Sequence, residues 1–562
     1  MHDPKALTTS ATVLPAHEAD ADWWRGAVIY QIYPRSFQDS NGDGIGDLPG
    51  VTARLPYLAD LGVDAIWLSP FFTSPMKDFG YDVSNYCDVD PIFGTLGDFQ
   101  ALTAEAHRLG IKVIIDQVIS HTSDMHPWFV ESRLNTTNAK ADWYIWADSA
   151  PDGTAPNNWL SVFGGPAWEW DSRRCQYYMH NFLTSQPDLN FHNPEVRKAV
   201  LDVLRFWLEL GVDGFRLDTV NYYFHDAELR SNPPAPTDGP AGNDAPAVNP
   251  YGRQVHLYDK SRPENLDFLK ELRSVLDEFP GTTAMGEVGE GSRAIEIMAA
   301  YTAGGDKLHM CYSFDLLGDG YGKTFFETTI GRYEASQGGW PCWAFSNHDV
   351  PRWASRFLPY AADPLRMQKL VSSLLLSFRG SVCLYEGEEL GLGEASLTYD
   401  DLVDPYGIRF WPEFKGRDGC RTPMVWLADA PHGGFSEGKP WLPVPADHLP
   451  LAADRQVGVE GSLHEHYKRF LAFRRETAPL REGTIEFLPA EGDVMAFVRR
   501  TGADAVLCVF NFGHEAATFP LPAGMAPEAV DLGFGSVADA DAVTLGPEDA
   551  FFGRIAVAGE AT

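Results

Sequence analysis

Eight short apolar runs, each stopping on or near a polar residue, alternate with helical stretches between residues 27 and 385. The runs are Ala27–Tyr33, Ala65–Leu68, Lys112–Asp116, Gly214–Asp218, Thr283–Glu287, His309–Phe314, Cys342–Phe345 and Ser381–Tyr385. Helical patterning falls between them, near Val51–Leu61, Leu96–Leu109 and Glu195–Leu210. A parallel strand covered on both faces reads as a continuous apolar run that ends where it meets its loop. Strand–helix alternation on this scale predicts a parallel sheet. Eight repeats predict a closed (β/α)8 TIM barrel, whose active site lies at the C-terminal ends of its strands.

Four of those ends carry the chemistry. They are Asp116, running on to His121; Arg216-Leu217-Asp218; Gly286-Glu287; and Asn347-His348-Asp349. Three carboxyls (Asp218, Glu287, Asp349), two histidines and an arginine would then share one rim. Cleaving a glycosidic bond by the retaining route requires one ionised carboxylate as nucleophile and one protonated carboxyl as acid, about 5–5.5 Å apart. Arg216, two residues before Asp218 on a strand, faces the same side and is expected to depress its pKa. Glu287 must hold a proton, which the charge of Asp218 or Asp349 nearby would favour.

Taken together, these segments resemble the signature regions of the alpha-amylase family of retaining glycoside hydrolases. Within that family the chain is similar to the α-glucosidase and oligo-1,6-glucosidase branch. The runs Val28 to Phe37, Asp78 to Asp82, Gln186 to Asn190 and Arg417 to Met424 carry the likeness, which extends from about Trp24 to the end. It implies Asp218 as nucleophile, Glu287 as acid/base and Asp349 as the aspartate that holds two sugar hydroxyls. His121, His348 and Arg216 would bind the same sugar. The resemblance also implies a clamp on the far end of the glucose from Asp78 and Arg421. Tyr81 would stack on the sugar, Phe163 and Phe182 would form aromatic walls, and Arg417 would be a further arginine of the site. Closure of the far end favours exo-action on short substrates. Thr219 stands where the branch has Val with α-1,6 cleavage and Thr with α-1,4 preference, so maltose-like α-1,4 substrates are expected. The alternatives are α-1,6 cleavage, or glucosyl transfer or isomerisation acting on sucrose. A non-catalytic barrel relative would lack the carboxyl set.

Asp39-Ser40-Asn41-Gly42-Asp43-Gly44-Ile45-Gly46-Asp47 places oxygen ligands at alternate positions, with Gly at the sixth, as an EF-hand loop begins; Gly50 replaces the twelfth-position Glu. Asp39, Asn41, Asp43, the Ile45 carbonyl and Asp47 are the predicted ligands. The resemblance implies a structural Ca²⁺ or Mg²⁺ here and no organic cofactor. Two positions depart from the family: Ser120 replaces a common Asn, and Glu386 replaces a common Gln.

Residues 119–192, rich in Trp, Asn and Gly, read as a domain B inserted after the third strand, splitting a barrel of residues 1–118 and 193–485. Residues 1–22 are expected to be a flexible N-terminus. From residue 486 to 562 short alternating runs predict an all-β C-terminal domain: Val494–Arg499, Ala505–Phe510, Ala517–Leu521, Ala529–Leu532 and Ile555–Val557. Residues 230–253, poor in large apolar side chains, read as loop or disorder, either a flap over the pocket or a floppy surface insertion.

A formal charge of −34 excludes nucleic acid and anionic membranes as expected partners and suits a small neutral α-glucoside. There is no signal-peptide pattern, and no run is long enough to span a membrane. Seven scattered cysteines without CxxC pairs predict free thiols in the cytoplasm and no zinc. The expected assembly is a monomer or homodimer.

Overall fold

The computed structural model describes residues 21–236 and 245–556. The expected flexible N-terminus therefore lies almost wholly outside the described residues, as do residues 237–244 of the 230–253 loop and Val557.

The eight predicted strands form a closed parallel barrel in chain order: β1 (Val28–Ile32), β2 (Ala65–Leu68), β3 (Lys112–Gln117), β4 (Gly214–Leu217), β5 (Thr283–Val288), β6 (Met310–Ser313), β7 (Trp340–Ala344) and β8 (Ser381–Tyr385). β8 pairs back onto β1, with Val28 opposite Val382. β7 starts two residues before the predicted run because Pro341, which argues against a strand in sequence, is accommodated there.

Several of the covering helices start where the sequence supplies caps. α1 (Leu48–Leu61) begins after Asp47, whose side chain accepts from Gly50 N–H, and α2 (Leu96–Arg108) opens on a Thr95/Asp98 capping box. α3 (Pro194–Glu209) follows Asn193, with Pro194 in the first turn, where its missing N–H costs nothing. α4 (Asn265–Asp277), α5 (Ala294–Thr302), α6 (Lys323–Ala335), α7 (Pro364–Leu375) and α8 (Leu463–Arg475) complete the ring.

Within residues 119–192 a three-stranded antiparallel sheet forms from Trp146–Ala147, Gln176–Met179 and Trp168–Asp171. The bridges His121–Asp188 and Tyr144–Leu189 bind this segment to the loop after β3.

The C-terminal part holds a five-stranded and a three-stranded antiparallel sheet. The first strand, β9 (Thr484–Leu488), starts before residue 486, and the predicted Ala529–Leu532 strand appears instead as Pro527–Ala529. Alternation along Val494–Thr501 explains its position. Val494, Ala496 and Val498 pack with Phe519, Val543 and Leu545 of the smaller sheet, whereas Met495 and Phe497 join the core shared with α8 through Phe470 and Phe473.

Candidate active site

A cavity of about 300 Å³ opens at the C-terminal ends of the barrel strands, a volume at the small end for a small-molecule site. Asp218 follows β4, Glu287 lies within β5 and Asp349 follows β7, and all three line the cavity.

Arg216, fully buried in β4, organises the floor. Its Nη1 lies 2.6 Å from Asp218 Oδ1 and 2.8 Å from Asp116 Oδ1, and its Nη2 lies 2.5 Å from Glu287 Oε1. One cation is thus shared among three carboxyls on adjacent strands. Tyr312, at the end of β6, accepts from Arg216 Nη2 at 2.9 Å and donates to Glu287 Oε1 at 3.0 Å.

Electrostatics separate the carboxyls. Burial pushes Glu287 up to about 7, the charges of Asp218 and Asp349 adding to it and Arg216 opposing it. Burial likewise pushes Asp218 up to about 7, against the pull of Arg216. The predicted depression of Asp218 is therefore corrected: Arg216 lowers its pKa, but it divides its charge among three carboxyls and does not outweigh desolvation. Asp349 is the contrast. Burial opposes its charge, yet His348, Arg417 and Arg421 together hold it well below the usual carboxylate range.

The far end closes on Asp78. Its partner is Arg417, not Arg421: Arg417 Nη2 lies 2.7 Å from Asp78 Oδ1, and Gln186 Nε2 donates to Asp78 Oδ2 at 3.0 Å. Arg421 instead reaches Asp349 Oδ1 at 2.9 Å and the His348 carbonyl at 2.7 Å. The two arginines are four residues apart in one motif, and only the fold distinguishes their targets.

Of the predicted binding residues, Asp78, Tyr81, His121, Phe163, Phe182, Thr219 and Arg417 line the cavity, while Arg216, His348 and Arg421 stand behind its wall. His348 Nε2 lies 2.5 Å from Tyr81 OH and 3.2 Å from Asp349 Oδ2, and the Tyr81 and His348 rings are parallel within 3°. His348 therefore meets the cavity through those two side chains. Phe163 stacks on Tyr406 with centroids 4.8 Å apart, and the Arg417 guanidinium lies over the Phe163 ring, 4.9 Å from its centroid.

Sequence reading missed several wall residues. Tyr222, Tyr406 and Phe414 line the mouth from loops after β4 and β8, and Phe314, Val350 and Pro351 complete its apolar rim. Asp116, marked in the sequence but given no role, and Tyr312, near the end of a marked strand, both belong to the Arg216 cluster. The loop aromatics carry no comparable signal.

The 39–47 loop folds on itself. Asp39 accepts from the N–H groups of Asn41, Gly42 and Gly44 and from Ser436 Oγ. Burial opposes the charge of Asp39, but these bonds hold its carboxyl below its ordinary value. Asp47 caps α1 and accepts from Ser40, and burial raises it. Its ligand set is all hard oxygen, as Ca²⁺ or Mg²⁺ requires. Among the described residues no three His, Cys, Asp or Glu side chains converge on one point, so Asn41 Oδ1 and the Ile45 carbonyl would be needed to complete a shell.

A barrel with paired buried carboxyls on adjacent strand ends, beside a sugar-sized cavity, defines a glycosidase-type site. The sequence profile of the alpha-amylase catalytic domain matches residues 31–483, and the chain belongs to the alpha-amylase family. It is 60% identical over 98% of its length to the whole of a probable alpha-glucosidase of Rhizobium meliloti (strain 1021). It is 35% identical to an oligo-1,6-glucosidase of Parageobacillus thermoglucosidasius, over 89% of this chain and 92% of that one. Among solved structures, the alpha-glucosyl transfer enzyme XgtA superposes with a TM-score of 0.92 at 52% identity, covering 95% of this chain and 99% of that one. No helix among the described residues is long and apolar enough to cross a membrane.

Proposed function

We propose that this protein is a retaining, exo-acting α-glucosidase that removes terminal α-1,4-linked glucose from maltose-like disaccharides and also transfers it to other acceptors. The observation that carries this reading is the Arg216 guanidinium clasping Asp218 and Glu287 at 2.6 and 2.5 Å, in a cavity closed at one end by Asp78 and Arg417.

In this reading Asp218 attacks the anomeric carbon while Glu287 protonates the leaving oxygen. Asp349, kept ionised by His348, Arg417 and Arg421, receives sugar hydroxyls and stabilises the oxocarbenium-like transition state. After the first product leaves, Glu287 takes a proton from water, which frees the glucose as the α-anomer. An alcohol entering in place of water gives transfer. The apolar wall of Phe163, Phe182, Tyr222, Tyr406 and Phe414 favours this second outcome, because it offers an entering acceptor contact area without fixing its hydroxyls.

Thr219 on the cavity wall supports the α-1,4 preference. Restriction to disaccharides is supported by the capping loop: Ala245 and Pro246 line the cavity, and Asn249 Nδ2 donates to the Val162 carbonyl at 2.7 Å and to Tyr406 OH at 3.1 Å. The loop thereby ties the inserted segment to the segment after β8 across the mouth.

The test is product-resolved turnover of maltose, isomaltose, sucrose, trehalose and maltopentaose by the protein and by Asp218→Asn. Release of α-glucose from maltose, abolished in the variant, is expected. Faster turnover of isomaltose would overturn the linkage assignment, and turnover of maltopentaose equal to maltose would overturn the size restriction.

A further inference from the structure

Thr219 occupies a backbone conformation that its branched side chain resists. Its φ is 42° and its ψ 49°, in the left-handed region. Such strain persists only where its surroundings over-determine it, and it is found at functional sites. Here it aims two groups at two carboxyls. Thr219 N–H donates to Glu287 Oε2 at 3.2 Å, and its hydroxyl reaches Asp218 Oδ2 at 3.2 Å.

The same hydroxyl has a second neighbour. Ser120 Oγ lies 3.0 Å from Thr219 Oγ1 and 2.8 Å from His121 Nδ1. The protons in this chain can be counted. His121 Nε2 faces the Tyr81 carbonyl at 3.0 Å, where only an N–H makes a bond. Gln186 Nε2, 3.2 Å from that nitrogen, directs a hydrogen to Asp78 Oδ2 at 3.0 Å. Burial lowers His121 to about 4 and keeps it neutral; with its one ring proton assigned to Nε2 by the Tyr81 carbonyl, Nδ1 is an acceptor and takes the one proton of Ser120. Ser120 Oγ is then an acceptor toward Thr219. Thr219 has one hydroxyl proton and two acceptors, Asp218 Oδ2 and Ser120 Oγ.

Asp218 Oδ1 is held by Arg216 from behind the cavity wall, which leaves Oδ2, on the Thr219 side, as the oxygen free to attack. We infer that Thr219 and Ser120 form a two-position hydrogen-bond switch on the nucleophile: Thr219 divides its hydroxyl proton between Oδ2 and Ser120 Oγ in the free enzyme and gives it wholly to Ser120 Oγ as Oδ2 bonds to the sugar. Both are positioning residues. The inference rests on Asp218 being the nucleophile.

The bookkeeping balances. A lone pair of Oδ2 forms the bond to the anomeric carbon. The bond to the leaving oxygen breaks, its electron pair goes to that oxygen, and Glu287 supplies the proton. Thr219 moves a hydrogen bond, and no proton changes owner. In the second half Glu287 takes a proton from water, the water oxygen bonds to the anomeric carbon, and the ester electron pair returns to Oδ2, which recovers Thr219.

The switch gives the two residues opposite signatures. Removing Thr219 Oγ1 takes from Asp218 a hydrogen bond that favours its charged form. Removing Ser120 Oγ leaves the Thr219 proton permanently on Asp218. Among the described residues, the other charged or titratable groups facing Asp218 are Arg216, Asp116, Glu287, Asp349, Tyr81 and Tyr223, all unchanged in both variants.

The experiment is kcat/KM against pH on an aryl α-glucoside, which avoids the question of linkage, for Ser120→Ala, Thr219→Val, the double variant and Thr219→Ser. Ser120→Ala is expected to lower kcat/KM about tenfold and to move the acid limb to lower pH. Thr219→Val is expected to move that limb to higher pH, and Ser120→Ala added to it should change nothing further. Thr219→Ser, which keeps the hydroxyl, should restore both rate and limb. Equal losses from Ser120→Ala in both backgrounds, limbs shifted the same way, or no loss would each overturn the switch. Failure of the nucleophile assignment is read separately, by retained turnover in Asp218→Asn.

Discussion

Arg417 Nη2 lies 2.7 Å from Asp78 Oδ1 and 2.8 Å from Asp404 Oδ1, and its Nη1 lies 3.3 Å from Asp349 Oδ1. One buried guanidinium thus fastens the closed end of the cavity to Asp349, the carboxylate proposed to receive the sugar hydroxyls.

Arg417→Ala removes that fastening and leaves the buried Asp78 and Asp404 without their cation, while Asp349 keeps Arg421. Loss of a charged hydrogen-bond partner at such a site is expected to lower kcat/KM for maltose by about 100-fold. Arg417→Lys should recover little, because an ammonium cannot span three carboxylates as a planar fork does. Steady-state kinetics, with circular dichroism to confirm folding, checks this.

The pH profile follows from the pair on Arg216. Asp218 and Glu287 are both pushed to about 7, so they titrate together and the working form carries one proton between them. Below that range Asp218 takes a second proton and attack stops. Above it Glu287 loses its proton and the leaving oxygen goes unassisted. A bell for kcat/KM centred near 7 is expected. A rate still flat at pH 9.5 would contradict the assignment.

Glu386 makes a prediction about stability. It is fully buried after β8, where its Oε2 accepts from Tyr33 N–H at 2.8 Å, and burial raises it from 4.5 to about 8. The folded state therefore holds a proton that the unfolded state releases near 4.5. This contribution is fully present below pH 4.5 and is lost as pH rises through 8. Glu386→Gln removes the titration. Its Tm should exceed that of the parent by about 2 °C or more at pH 9 and show little gain at pH 5. Glu388, also raised to about 8, keeps part of the slope in both proteins. Thermal scans across that range are the measurement.

The 39–47 loop is proposed to take Ca²⁺ or Mg²⁺ on Asp39, Asn41, Asp43, the Ile45 carbonyl and Asp47. At a Ca²⁺ concentration about 100-fold above Kd, binding to the native state should stabilise it by about 2.7 kcal/mol. Chelator should lower Tm while kcat at 25 °C stays unchanged. Asp43→Ala should abolish the Ca²⁺ response. An unaltered Tm on chelation and on Ca²⁺ addition would show that the hydrogen bonds of the loop suffice without an ion.

The barrel was legible because burial on both faces leaves a local mark: runs such as Val113-Ile114-Ile115 can be little else beside a helical neighbour. That Asp218, Glu287 and Asp349 would share one cavity was legible because they end or closely follow such runs. The Asp78 partner was not, because Arg417 and Arg421 share one motif and their targets depend on how the segment after β8 folds back. The net shift of Asp218 was not legible either. It depends on how many carboxyls divide the charge of Arg216, which is a property of three strands at once. Tyr222, Tyr406 and Phe414 escaped for a related reason, since a loop aromatic acquires a role only from where its loop lands.

The Asp78–Arg417–Gln186 plug also dictates traffic. With that end sealed, the mouth beneath Pro246 and Tyr406 is, among the described residues, both entrance and exit. In the exo-acting reading proposed above, glucose enters leading and leaves last, and water or an acceptor reaches the glucosyl group once the departing aglycone has vacated the passage. The sequence of events is then imposed by a blind alley, and the residence time of the first product at the mouth becomes a clock for choosing between water and a second sugar.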